Sequence, residues 1–132
     1  MNSTILSPGV KMAFTNIAPC LVVHDVHKTV SYYVNYLNFD RVRETKEFGH
    51  VKRDNIHIEF RKSHRIKVDG ESEYNERRNL EIIVDDVNQL YNEYLLQGVH
   101  ILWGPQDVPG MKQKFEIEDC NGYILMFTEE KQ

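Results

Sequence analysis

Apolar and polar residues alternate through NIHIEFR, residues 55–61. Successive side chains of a strand point to opposite faces, so Ile56, Ile58 and Phe60 share one face and His57, Glu59 and Arg61 the other. The same period of two puts Pro19, Leu21 and Val23, then Leu80, Ile82 and Val84, then Phe115 and Ile117, then Tyr123, Leu125 and Phe127 on an apolar face. The opposite face collects Ala18, Cys20, Val22, His57, Glu59, Arg61, Asn79, Glu81, Ile83, Lys114, Glu116, Ile124 and Met126. Between the strands the period lengthens to that of a helix. Val26, Val30, Tyr33, Val34 and Leu37 form one inward stripe behind the cap Asp25. Val87, Leu90, Tyr91, Tyr94 and Leu95 form another behind Asp86, with Gln89 as a capping-box partner and Gly98 as the stop.

These segments are one plan used twice. LVVHDVHKTVSYYVNYLNF and EIIVDDVNQLYNEYLLQGV each run from an apolar strand through an acid into an amphipathic helix. Strand-like runs follow, FDRVRETKEF, HVKR and IHIEF after the first and VHILW, KFEIE and YILMF after the second, with RDN and DCNG as the turns before the last strands. The chain therefore reads as βαβββ twice, an α+β fold in a single domain over 1–132. Unit one covers about residues 15–62, a linker 63–78, and unit two about 79–130. The acidic DGESEYNE in the linker reads as a solvated segment.

At 132 residues the chain can bury about two thirds of its unfolded surface, enough for a core without staples. Its net charge of -4, with Lys and Arg scattered, lacks the basic footprint that phosphate neutralisation requires, so nucleic acid is excluded as a partner. Cys20 and Cys120 are far apart and read as small buried hydrophobes. No apolar run approaches the length of about 18 residues that a membrane helix needs, and the opening MNSTILSPGVKM lacks the layout of a signal peptide, so a cytoplasmic protein without a membrane partner is expected. The polar strand face is too charged for a dry core. Isolated buried charges cost several kcal/mol each, so this face is expected to be wet, ligand-filled or internally paired.

With PCLVVHDVHKTVSYYVNYLNF near the front, FEIEDCNGYILMF near the end, an acid capping each helix and a D-x-N-G turn before the final strand, the chain resembles the vicinal oxygen chelate superfamily. That superfamily includes glyoxalase I, extradiol dioxygenases and the bleomycin-resistance proteins, and the resemblance spans about residues 15–130. It implies two units whose curled sheets form a cup, lined by the polar face. Metal-using relatives place ligands at four cup positions, which match Ala18, Glu59, Asn79 and Met126. Only Glu59 is an ordinary ligand for a hard metal; Asn79 offers a carbonyl oxygen, Met126 a soft thioether and Ala18 nothing. A catalytic Zn or Ni site takes about three protein ligands and an open position, so the resemblance implies neither a bound metal nor another cofactor and leans away from an enzyme.

Loss of that set is similar to the bleomycin-resistance branch, whose members hold a cationic drug in the crevices of a dimer. APCLVV with Pro19, HVKRDNIHIEF and LEIIVDDVNQLYNEY carry this closer resemblance. The chain departs from the branch in having one tryptophan, Trp103, and in having Met111 and Lys112 near the place where relatives often carry Trp-Gly.

The expected ligand wall is His57, Glu59, Arg61, Asn79, Glu81, Glu116 and Met126, with Phe48 and Trp103 beside strand ends as stacking platforms. His57 reads as a hydrogen-bonded cup residue or a proton shuttle, and Glu59 as a wall carboxylate or base. Glu81 and Glu116 suit a cationic ligand unless Arg61 and Lys114 neutralise them. The other histidines, His24, His27, His50, His64 and His100, are placed in loops or helix starts without a role. A second copy is expected to close the open side of the cup, giving a homodimer. Two other readings stand beside this one. One is a divalent-metal-dependent lyase, isomerase or dioxygenase built on Glu59, with His57, Glu81 and Glu116 as improvised ligands; the other is a non-catalytic interaction module.

Overall fold

A computed structural model describes residues 11–65, 79–107 and 112–130. Unit one runs β1 (Cys20–Val23), α1 (Val26–Asn35), β2 (Asp40–Glu44), β3 (Phe48–Arg53) and β4 (Ile56–Lys62). Unit two runs β5 (Asn79–Val84), α2 (Val87–Gln97), β6 (Ile101–Gln106), β7 (Lys114–Glu118) and β8 (Ile124–Glu129). Each unit is one open four-stranded sheet, in the order β1-β4-β3-β2 and β5-β8-β7-β6. In each, the first strand crosses over through its helix to lie parallel to the last, while the remaining pairs are antiparallel hairpins. The tandem βαβββ expectation therefore holds. Most of the linker, including DGESEYNE, and Met111 lie outside the described residues.

The helices begin where their acids can accept an amide. Asp25 accepts from the Lys28 N–H at 3.0 Å, and Asp86 from the Gln89 N–H at 3.0 Å, each satisfying one otherwise orphaned donor. α2 stops at Gly98, whose φ of 81° lies in the left-handed region that glycine adopts without a Cβ clash. Val26, Val30 and Tyr33 of α1, and Val87, Leu90 and Tyr94 of α2, are buried against the apolar strand faces. Gly49 lets α1 approach β3 closely: a Cβ there would lie 2.7 Å from Val30 Cγ2.

Several expectations need correction. Leu95 is 55% exposed, because the stripe of α2 that meets the sheet is narrower than the apolar pattern. FDRVRETKEF is strand only over Asp40–Glu44, its end Phe48 being the first residue of β3 after a bend, and VHILW begins as buried coil at Val99, with β6 starting at Ile101 and running on to Gln106. Ile124, assigned to the wet face, is 5% exposed. Cys20 and Cys120 are exposed rather than buried.

The two units are joined by polar contacts as well as by a shared core. The Tyr33 hydroxyl donates to the Asp119 carboxylate at 2.6 Å, and the Tyr123 hydroxyl to the Val22 carbonyl at 2.6 Å. On the other side, the Tyr94 hydroxyl donates to the Leu37 carbonyl at 3.1 Å, and Arg53 makes a two-point pair with Glu93 at 2.7 and 2.9 Å. Burial pushes the Asp119 carboxyl above the ordinary range, against the pull of the hydrogen bonds it accepts from Tyr33 and from the Asn121 and Tyr123 amides. The buried Tyr33 hydroxyl is pushed up as well, by burial first and by Asp119 second.

Candidate functional site

Strand register aligns the polar side chains into matching rows. In unit one Cys20 lies opposite Glu59, Glu59 opposite His50 and His50 opposite Arg43. In unit two Glu81 lies opposite Met126, Met126 opposite Glu116 and Glu116 opposite Trp103. Directly opposed residues share a face, so each row runs across one polar face, and the rows correspond strand for strand between the units. A second pair of rows runs beside them, Val22, Arg61 and Phe48 in unit one and Ile83, Thr128 and Lys114 in unit two.

The faces differ in chemistry. That of unit one carries Arg43, His50, Lys52, His57 and Arg61 with the carboxylates Glu59 and Asp40, whereas that of unit two carries Glu81 and Glu116 with Trp103, Met126 and Lys114. Among the described residues, neither Glu59 nor Glu116 is in an ion pair with Arg61 or Lys114, and Glu81 accepts a hydrogen bond from the Thr128 hydroxyl at 2.9 Å. The side chains are wet: Arg61, Asn79 and Glu81 are exposed, and His57, Glu59, Glu116, Met126, Trp103 and Phe48 are half-buried. Phe48 opens β3 and lies under the Arg43 guanidinium, 5.0 Å from its ring centre, so it already holds one cation–π contact. Trp103 lies within β6 rather than beside its end.

His57 has a partner that sequence reasoning did not assign. His50 is in β3, not in a loop, and its Nε2 lies 2.8 Å from His57 Nδ1. One ring donates its N–H and the other accepts it, so the bond requires at least one neutral imidazole. A signal was available in HVKRDNIHIEF. Folding that hairpin at RDN sets His50 opposite Glu59 and diagonal to His57, on one face.

The four positions matched to metal ligands take equivalent places in the two units. Glu59 and Met126 pair with Cys20 and Glu81, and Ala18 and Asn79 stand two residues before those partners. Their donors do not fit a Zn or Ni centre: one carboxylate, one amide, one thioether and one methyl. Among the described residues no three His, Cys, Asp or Glu side chains are grouped to hold a metal ion. Across the described residues no helix is long and apolar enough to cross a membrane.

Residues 14–127 match the profile of the Glyoxalase/Bleomycin resistance protein/Dioxygenase superfamily. No curated protein matches the sequence. Among solved structures, TioX from Micromonospora sp. ML1 is similar, with a TM-score of 0.74 at 15% identity over 89% of this chain and 100% of that one. The bleomycin-binding protein of bleomycin-producing Streptomyces verticillus, complexed with copper(II)-bleomycin, has a TM-score of 0.74 at 20% identity over 92% of this chain and 100% of that one. A lactoylglutathione lyase from Agrobacterium tumefaciens has a TM-score of 0.70 at 12% identity over 90% of this chain and 96% of that one. At these identities the likeness establishes the fold alone.

Proposed function

Because the chain belongs to the Glyoxalase/Bleomycin resistance protein/Dioxygenase superfamily, we propose that it is a binding protein of the bleomycin-resistance type, which sequesters a small polar or cationic molecule in its cup without a metal and without chemistry. The observation that carries this reading is the donor set: a wet, polar, partly aromatic face on which, of the four positions matched to metal ligands, only Glu59 carries an ordinary hard-metal donor. The likeness to a protein that binds a copper-loaded drug supports it. The row of Glu81, Met126, Glu116 and Trp103 favours a cation, because it combines carboxylates with an aromatic face. Arg61, His57 and Glu59 on the other face supply donors and an acceptor for the polar part of the ligand, and Asn79 adds an amide at the edge. The site is a homodimer's, in which a second copy covers the exposed side of each polar face, and the protein works in the cytoplasm.

The test is a melting-temperature screen of amine-bearing, glycopeptide and siderophore-like compounds in the presence of a chelator. The expected result is stabilisation by at least one compound that weakens in Glu59→Gln. No stabilisation by any class would overturn the reading.

The alternative is a metal-dependent lyase, isomerase or dioxygenase. The His50–His57 pair beside Glu59 is the observation in its favour. Stoichiometric metal in the purified protein, with a stabilising shift lost in Glu59→Ala, would establish it.

A further inference from the structure

His50 in β3 and His57 in β4 stand diagonally across the hairpin, and both rings are half-buried. Their centres are 5.1 Å apart and His50 Nε2 lies 2.8 Å from His57 Nδ1, so nitrogen faces nitrogen. A neutral pair can form this bond in two ways. If His50 donates, both rings are in the Nε2–H tautomer; if His57 donates, both are in the Nδ1–H tautomer. The Nε2–H form is the one a histidine side chain favours by itself, and among the described residues neither ring has another hydrogen-bond partner to oppose it. The preferences of the two rings agree, so His50 is the donor. His57 then carries its proton on Nε2, on the side of its ring turned away from the pair.

The neighbours of His57 suit an oxygen acceptor. Lys52 stands directly opposite it on β3 and has no hydrogen bond or ion pair among the described residues. On the other side the Glu59 N–H donates to the Pro19 carbonyl at 2.9 Å, and the parallel register of β1 with β4 sets Ala18 beside His57. A methyl group fills little of the space next to the ring. The carboxylate of Glu59 stands opposite His50, at the other end of the pair, and Asp40 stands opposite Lys52 on the outer strand.

Taking the polar face as the ligand site, as this step requires, we propose that His50 is a positioning residue that holds His57 as a hydrogen-bond donor. The ligand places an oxyanion, carboxylate or phosphate, against His57 Nε2–H and the Lys52 ammonium, where the hydrogen bonds are charge-assisted. With the carboxylates Glu81 and Glu116 on the face of unit two, such a ligand is bipolar.

Long-range proton–nitrogen NMR of the imidazoles in the full-length protein reads the tautomers directly. At about pH 8, above the ordinary imidazole pKa of about 6.5, both rings are expected in the Nε2–H form. Inorganic phosphate and, separately, acetate should shift His57 Nε2 saturably, and sodium chloride at matched ionic strength should not; the tighter of the two names the acid class. His50→Gln keeps an amide N–H at the place of Nε2 and should retain both tautomer and phosphate affinity. His50→Leu frees the His57 ring and should weaken phosphate about threefold, the lower end for one hydrogen bond, with the amide spectrum of the fold intact. Lys52→Gln, an exposed position, should weaken phosphate without changing either tautomer. Glu59→Gln should not weaken phosphate, although it weakens the compounds of the melting screen, so failure here is distinct from failure of the cup reading. An Nδ1–H form of His57, phosphate and acetate acting no differently from chloride, saturable shifts that bypass His57, or His50→Gln as weak as His50→Leu would each overturn the proposal.

Discussion

Gly49 has a buried place between β3 and α1 that only a hydrogen side chain fits. An added Cβ would lie 2.7 Å from Val30 Cγ2 and 3.0 Å from Val26 Cγ1, and both valines are themselves buried and stiff about χ1. Gly49→Ala should therefore destabilise the protein by about 1–3 kcal/mol, the usual cost of overpacking a close-packed core. Urea unfolding measures this, and a neutral substitution would mean that α1 is free to move away from the sheet. His50 teaches a different lesson at the same scale. Its face depends on hairpin register, and a histidine read as loop has no face at all. Ile124 and the two cysteines were misread for a related reason: alternation assigns a side to a residue, but what covers that side depends on elements far away in sequence.

At the scale of elements, the plan of each unit was legible because local signals agreed. Period-two strands, a period-3.6 stripe, Asp25 and Asp86 as caps and Gly98 as a stop all pointed to βαβββ. The contacts that fix one unit against the other were not legible, since nothing local announces that Arg53 at the end of β3 meets Glu93 in the middle of α2. That pair is open to a direct test. Both side chains remain partly exposed, 30% and 29%, so a double-mutant cycle with Arg53→Met and Glu93→Gln should give a coupling of about 1 kcal/mol, not the larger value of a dry pair. The hydrogen bond from Arg53 holds the Glu93 carboxyl below its ordinary range. A carboxyl depressed in the folded state contributes stability above its unfolded pKa of about 4.3 and loses it as pH falls through the folded value. The stability gap between wild type and Glu93→Gln should accordingly be full at neutral pH and shrink as pH falls below about 4. A gap that persists at lower pH would contradict the charged pair.

The whole molecule leaves apolar surface to be covered. Met12, Phe14 and Ile17, ahead of β1, are 76%, 96% and 88% exposed, and the polar faces of both sheets are open to water. A symmetric partner resolves both features, because an isologous contact buries the same patch on each copy. Sedimentation at micromolar concentration should give a dimer, and Phe14→Ser should shift it toward monomer without changing the melting of the isolated chain; a wild-type monomer would remove the argument for a shared cup.

The most direct test of the binding account is a calorimetric titration of the strongest compound from the screen into chelator-treated protein, repeated with Glu59→Gln in a His57→Ala background. A metal-free cup predicts saturable binding in the chelator, weakened at least about tenfold by the two substitutions, a loss of about 1.4 kcal/mol. No heat in the chelator, with binding restored by one equivalent of zinc or nickel, would contradict it and make Glu59 a metal ligand.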